Sequence, residues 1–137
     1  MNSPVTIDAS VFVSAFTPTE PAHQASKSFM LSIREQAIPI VVPVLVLPEI
    51  SAALARGQGK PELGKAFVQE LRNFPNTTFI DVDETVAGLA VDIAANNRLC
   101  GSDAVYAAVA LRFGTELVTL DKEQLDRLPK VLPVHTP

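Results

Sequence analysis

The chain has 137 residues, 47% of them hydrophobic and 19% charged, and its formal net charge is −4. This length and composition are typical of one globular domain and exclude a disordered chain, so we expect residues 1–137 to form a single domain. The negative charge argues against a broad basic surface that grips nucleic acid. With 6% aromatic residues and no Trp, the core must be aliphatic, which suits helices packed on a parallel sheet.

Cysteine usage and the hydrophobic runs indicate the compartment. The single cysteine, Cys100, cannot form an internal disulfide, and the chain lacks a Cys/His zinc pattern, which fits a reducing cytoplasm. No basic-then-apolar leader begins the chain, so we expect no signal peptide. The most apolar run, IPIVVPVLVLPEI, is broken by prolines and is shorter than the roughly 20 residues that span a bilayer. We therefore expect a cytoplasmic protein.

The first half of the chain alternates between strand and helix patterns. VTIDA predicts a short strand, and PAHQASKSFMLSIREQ predicts a helix because its apolar residues recur with helical spacing. IPIVV is a β-branched run and predicts a buried strand. PEISAALARG then predicts a helix that ends at Gly57.

The second half continues this alternation. Amphipathic helices are predicted for PELGKAFVQELRNF and DETVAGLAVDIAANN, with the strand TTFIDV between them. SDAVYAAVALRFG predicts a helix with Ser102 as N-cap and Gly114 past its end. ELVTL predicts a strand, DKEQLDRL a short helix, and KVLPV an edge strand. The pattern predicts an α/β domain with a central parallel sheet of four to five short strands.

Carboxylates recur where such a sheet binds ligands, at the carboxyl ends of its strands. Asp8 follows the VTI strand and Asp121 follows the ELVTL strand. Glu49 lies early in the helix after IPIVV, which again belongs to the carboxyl edge. Asp103 lies in the first turn of a helix that leads into a strand, and the sequence leaves open at which edge of the sheet this turn lies.

A purely structural interpretation competes for some of these acids. Helix N-termini stabilise an Asp in the first turn, and this explains Asp103 and Asp121 as well as a functional role does. Glu49 has an apolar setting where an unpaired carboxylate is costly, and Asp8 is poorly explained by capping because Ser10 is the better cap candidate. Four acids on one edge repel one another unless a cation lies between them, and Mg²⁺ or Mn²⁺ prefers such oxygen ligands.

Three segments, TIDASVF, LPEISAAL and SDAVYAAVALRFGTELVTLDKE, resemble the PIN-domain family in their residues and their order. The resemblance is closest to the VapC-type toxin ribonucleases of bacterial toxin–antitoxin pairs, and it runs over nearly the whole chain. Its most specific part is the Asp-Ala-x-Tyr-x-Ala helix, followed by a Gly, a strand and Thr-x-Asp. The resemblance implies an α/β/α sandwich with PIN-like topology.

The resemblance also implies a metal-dependent ribonuclease that hydrolyses RNA phosphodiesters. By position, Ser10 and Thr119 match the small hydroxyl residues beside the family's acidic cluster. The chemistry fits, because a bound cation activates water and stabilises charge on the phosphate. The residues that match the cluster, and that are implied to hold one or two Mg²⁺ or Mn²⁺ ions, are Asp8, Glu49, Asp103 and Asp121.

Partners are implied by the same resemblance. A toxin of this type has a cognate antitoxin, whose C-terminal segment would lie across the helices near the cluster and place a basic residue against the acids. Homodimerisation is also a family expectation, and an apolar helical surface around Phe29, Met30 and Phe67 would permit it.

The basic residues and histidines add little to this interpretation. Without the four cluster acids, 11 acidic residues balance 11 basic ones, so the acidic composition does not exclude RNA. Lys122, Arg127 and Arg56 lie near the cluster in sequence and are either phosphate contacts or ordinary surface charges. We expect structural roles for a further set: His23, His135, Tyr106 and Cys100.

Other classes of protein also need to be considered. A non-catalytic PIN-like module that binds RNA or a protein partner is the main alternative, although an inert scaffold has no reason to keep four repelling acids. A haloacid-dehalogenase-type phosphatase requires Asp-x-Asp at the first strand, where this chain has DAS. A receiver domain requires an acidic pair there and a Lys on a late strand, and ELVTL has none.

Overall fold

The computed structural model describes residues 3–137, which form a central sheet flanked by helices. The sheet is entirely parallel, with the strand order β3-β2-β1-β4-β5, and confirms the predicted α/β class with five short strands. The strands are β1 Val5–Ile7, β2 Ile40–Pro43, β3 Thr77–Ile80, β4 Glu116–Val118 and β5 Val134–His135. The helices are α1 Ala9–Phe16, α2 His23–Glu35, α3 Val46–Gln58, α4 Pro61–Arg72, α5 Glu84–Asn97, α6 Gly101–Phe113 and α7 Lys122–Arg127.

The centre of the core is the contact between β1 and its two neighbours. β1 pairs with β2 on one side and with β4 on the other, and Ile7, Ile40 and Leu117 are completely buried there. Helix α6 packs on these strands through alanines such as Ala104 and Ala107, which let its backbone approach the sheet. The run of small and apolar residues in SDAVYAAVALRFG therefore produces a buried helix.

Some helix ends differ from the prediction. Helix α3 continues through Gly57 and ends at Gly59, which takes the left-handed conformation with φ +65°. Helix α6 begins at Gly101 with the extended Cys100 as its N-cap, so Ser102 already lies inside the helix. Gly114 follows α6 in the left-handed conformation, as predicted. Within residues 3–137, no helix combines the length and the hydropathy needed to cross a bilayer.

Candidate active site

Asp8 joins β1 to α1 at the carboxyl edge of the sheet. Its main-chain N–H donates to the carbonyl of Val118 at 2.9 Å, which extends the β1–β4 ladder by one bond. Its carboxylate oxygen Oδ2 accepts the N–H of Ser10 at 3.0 Å, so Asp8 is the N-cap of α1 and the expectation that Ser10 caps this helix is wrong. Asp8 is only 6% exposed, and capping does not require such burial.

Asp121 takes the equivalent position after the neighbouring strand β4. It is the N-cap of α7, and its Oδ1 accepts the N–H of Gln124 at 2.9 Å. The structural interpretation of Asp121 as a helix cap therefore holds. Because β1 and β4 are adjacent and parallel, the same geometry also puts Asp8 and Asp121 at one edge of the sheet.

Glu49 lies in the first turn of α3 and is held by a tyrosine. The hydroxyl of Tyr106 donates to Glu49 Oε1 at 2.6 Å. Tyr106 is completely buried, and its burial raises the pKa of the phenol far above the ordinary value, so it is a neutral donor. Partial burial raises the pKa of Glu49 although the Tyr106 hydrogen bond acts in the opposite direction. Tyr106, expected only to pack, thus orients one of the predicted site acids.

Asp103, whose edge the sequence left open, lies at the carboxyl edge with the other acids. It lines a cavity of about 370 Å³ together with Asp8, Ser10 and Glu49. Arg56 of α3 also lines this cavity, so one of the candidate phosphate contacts lies beside the acids. The chain thus brings three predicted acids into one cavity, with Asp121 close by.

The pKa shifts of Asp8 and Asp103 show that the charges of the four acids interact. Burial, followed by the charges of Asp121, Asp8 and Glu49, raises the pKa of Asp103 from 3.8 to about 7. Burial also raises the pKa of Asp8, and the Asp121 charge adds to this, whereas the hydrogen bonds to its carboxylate act against it. The charges of Asp8, Glu49 and Asp121 therefore add to the cost of ionising Asp103.

The two predicted hydroxyl residues fix the segment that carries Asp121. Ser10 Oγ accepts the N–H of Leu120 at 3.1 Å, which ties the start of α1 to the end of β4. Thr119 is completely buried, and its Oγ1 accepts the N–H of Asp121 at 3.0 Å. Both hydroxyl groups therefore hold the main chain beside the acids.

Gln124 of α7 is a site residue that the sequence interpretation missed. It is completely buried, and its Nε2 donates to Asp8 Oδ1 at 3.3 Å and to the carbonyl of Asp103 at 3.4 Å. Its Oε1 accepts the hydroxyl of Thr119 at 2.5 Å. The only sequence signal was the Asp-x-x-Gln spacing from Asp121, which is typical of a capping box and does not predict a contact with Asp8.

The remaining predicted residues lie outside this cluster. Arg127 is 3.7 Å from Glu123 and donates to the carbonyl of Arg98, and Lys122 is exposed. His23 Nδ1 is 2.9 Å from the carbonyl of Ser14. His135, predicted in the tail, lies in β5 with its Nε2 3.0 Å from Glu116.

The donor set suits a hard divalent cation. The four acids offer carboxylate oxygens, and their mutual repulsion is what such a cation relieves. In the part of the chain that the structure describes, no three His, Cys, Asp or Glu residues already enclose a metal position. Mg²⁺ needs no such cage, because it commonly keeps several waters and one or two carboxylates.

The five-stranded parallel sheet with acids at its carboxyl edge defines an α/β protein with a candidate polar active site. The sequence model of the PIN domain matches residues 5–131, and the chain therefore belongs to the PIN-domain family. This confirms the resemblance and the PIN-like α/β/α fold. A comparison with curated protein sequences found no match.

Solved structures of toxin–antitoxin proteins share this fold. VapC20 from Mycobacterium tuberculosis, a sarcin–ricin loop cleaving toxin, has a TM-score of 0.75 at 16% identity, covering 94% of this chain and 99% of VapC20. VapBC2 from Rickettsia felis, bound to a DNA fragment from its promoter, has a TM-score of 0.73 at 14% identity, covering 98% of both chains. A toxin–antitoxin complex from Klebsiella pneumoniae has a TM-score of 0.69 at 16% identity, covering 97% of both chains.

Proposed function

We propose that this protein is a Mg²⁺- or Mn²⁺-dependent endoribonuclease and the cytoplasmic toxin of a toxin–antitoxin pair. The observation that carries the proposal is the gathering of four carboxylates at one sheet edge, where burial and the charges of the other three acids raise the pKa of Asp103 to about 7. Membership of the PIN-domain family and the toxins among its structural neighbours support the assignment. VapC20 is a sarcin–ricin loop cleaving toxin, which supports RNA as the substrate class proposed here.

In this proposal, Asp8 and Asp103 are the primary ligands of the cation, and Glu49 and Asp121 are further ligands or orient water. The bound cation would supply Lewis-acid activation of water and stabilise the charge that develops on the phosphodiester. Tyr106 keeps Glu49 in place through its hydroxyl. Arg56, on the wall of the same cavity, is positioned to contact a phosphate of the bound RNA.

This chain has a groove next to the acids that suits binding of the cognate antitoxin. An apolar groove of about 740 Å³ lies between α1, α2 and α4, and Phe16 and Leu31 on its walls are 45% and 52% exposed. Helix α1 forms part of this groove, and its first residues line the acidic cavity. A segment of the antitoxin in the groove would therefore reach the acids with a basic side chain. Met30, one of the residues expected at a homodimer surface, is buried in the groove floor.

The first experiment is a Mn²⁺ titration followed by thermal unfolding of the wild type, Asp8→Asn and a control, Asp92→Asn, in which an exposed acid of α5 is neutralised. A ligand that binds only the folded state raises its stability with concentration. We expect the melting temperature of the wild type and of Asp92→Asn to rise with Mn²⁺, and that of Asp8→Asn to stay constant.

RNA cleavage is tested next, with structured RNAs as substrates and Asp8→Asn as the inactive control. We expect fragments with 5′-phosphate and 3′-hydroxyl ends, because in the proposed reaction water attacks the phosphorus, the bond to the 3′-oxygen breaks and that oxygen leaves as a hydroxyl. Fragments with 2′,3′-cyclic phosphates would contradict it. If Mn²⁺ does not stabilise the wild type, the acids are no working metal site, and a non-catalytic PIN-like binding module is the better interpretation.

A further inference from the structure

Gln124 is a buried polar residue between the elements that carry the acids. It lies in the middle of α7, and its side chain is completely buried. Burying an amide is costly unless its oxygen and its N–H groups find partners. Both ends of this amide have partners, and these belong to the junction of β1 and α1, to α6 and to the segment that follows β4.

The orientation of the amide follows from the direction of its hydrogen bonds. Thr119 Oγ1 accepts the N–H of Asp121, and its single hydroxyl hydrogen donates to Gln124 Oε1. The oxygen end of the Gln124 amide therefore faces Thr119. Its NH₂ end must then face the other way, towards the carboxylate of Asp8 and the carbonyl of Asp103.

We propose that Gln124 is a positioning residue of the acidic site, which holds the Asp8 carboxylate and the first turn of α6 with Asp103 in one arrangement. The inference rests on the proposed function, because the arrangement matters for the cation that these acids would bind. A neutral donor is suited to this position, since it steadies two carboxylate-bearing segments without neutralising either charge. Mutation of groups that hydrogen-bond metal ligands commonly weakens metal binding by about 10-fold to 100-fold.

A merely structural role makes a different prediction. If Gln124 only fills space under α7, an apolar residue of similar size will lower stability but leave the affinity of the folded protein for metal unchanged. If Gln124 positions Asp8, the loss of its NH₂ group weakens metal binding even where the protein remains folded. Metal affinity, measured on folded protein, therefore separates the two roles.

The experiment measures the Kd for Mn²⁺ by calorimetry for the wild type, Gln124→Leu and Gln124→Glu. The Glu variant keeps the shape of the side chain and replaces the NH₂ donor with an acceptor. We expect both variants to bind Mn²⁺ about 10-fold to 100-fold more weakly than the wild type. We expect Thr119→Val to weaken binding as well, because its hydroxyl contacts both the Gln124 amide and the main-chain N–H of Asp121.

Thr115→Val is the matched control. Thr115 is buried and its hydroxyl is 2.6 Å from that of Thr6, at the amino end of the β4 strand and away from the acids. This variant also loses a buried hydrogen bond, and we expect it to bind Mn²⁺ with the Kd of the wild type. Wild-type affinity in Gln124→Leu or Gln124→Glu would overturn the inference.

A measurement on the wild type covers the case in which the variants do not fold. The side-chain NH₂ signals of Gln124 in a ¹⁵N-labelled sample should shift as Mg²⁺ is added, because their acceptor Asp8 becomes a ligand. Unchanged signals at a Mg²⁺ concentration that stabilises the protein would overturn the inference about Gln124 and leave the proposed function intact. Absence of any metal effect on the wild type would instead contradict the proposed function, and the inference would fail with it.

Discussion

Asp103 lies among three other carboxylates, so its ionisation opposes folding while no cation is bound. Its pKa is raised from 3.8 to about 7, first by burial and then by the neighbouring charges. A carboxyl group with a raised folded-state pKa contributes its full stability below the unfolded pKa, and this contribution is lost as the pH rises through the folded pKa. Asp8 and Glu49 have pKa values raised in the same direction.

We therefore predict that the metal-free protein, kept in a chelator, loses thermal stability as the pH rises from about 4 to 7. In Asp103→Asn this loss should be smaller, because the variant has no charge to bury at that position. Melting temperatures of both proteins across this range measure the effect. Equal slopes for wild type and variant would show that Asp103 is not the titrating group.

At the scale of the elements, α3 and α4 approach each other closely at a glycine. A Cβ atom at Gly64 of α4 would lie 2.5 Å from the main-chain oxygen of Ser51 in α3, so only glycine fits there without a shift. This contact supports α3, the helix that carries Glu49. By contrast, a Cβ atom at Gly57, inside α3, would meet no atom within 4 Å.

We predict opposite effects for these two glycines. Gly64→Ala should destabilise the protein by about 1–3 kcal/mol, since α4 must move away from α3. Gly57→Ala should stabilise it by about 0.5–1 kcal/mol, because alanine lowers the cost of ordering the helix. Urea unfolding of both variants measures these differences. A neutral Gly64→Ala would mean that the two helices separate easily.

At the scale of the whole molecule, the charge balance limits how the proposed RNA substrate can be bound. The net charge is −4, and the basic residues only balance the acids outside the cluster. Few phosphate contacts are therefore available, and we expect shape recognition of a structured RNA to contribute much of the selectivity. Arg56 is the basic residue on the wall of the acidic cavity.

We predict that Arg56→Gln weakens RNA binding and makes it less dependent on salt. Loss of one phosphate contact lowers the slope of log affinity against log salt concentration by roughly 0.7 to 0.9. Arg72→Gln, which removes an exposed charge at the end of α4, is the control and should leave the slope unchanged. Binding titrations at several salt concentrations, with metal omitted to prevent cleavage, provide the test. An unchanged slope for Arg56→Gln would remove Arg56 from the RNA site.

The sequence by itself determined the alternation of strands and helices, because periodicity and capping residues act over a few neighbouring positions. It also placed Asp8, Asp121 and Glu49 at the carboxyl edge, since each follows a strand whose direction the parallel sheet dictates. Even here local rules misjudged details: Asp8 caps α1 in place of Ser10, and α3 passes through Gly57 to end at Gly59.

Only the tertiary structure decided which residues complete the candidate site. The edge at which Asp103 lies depends on the path from α5 to α6, and short-range patterns carry no information about it. The bond from Gln124 to Asp8 joins residues 116 positions apart, and that from Tyr106 to Glu49 joins residues 57 apart. Such partners are chosen by the packing of whole elements, because a buried polar group must bond with whatever the fold brings within reach.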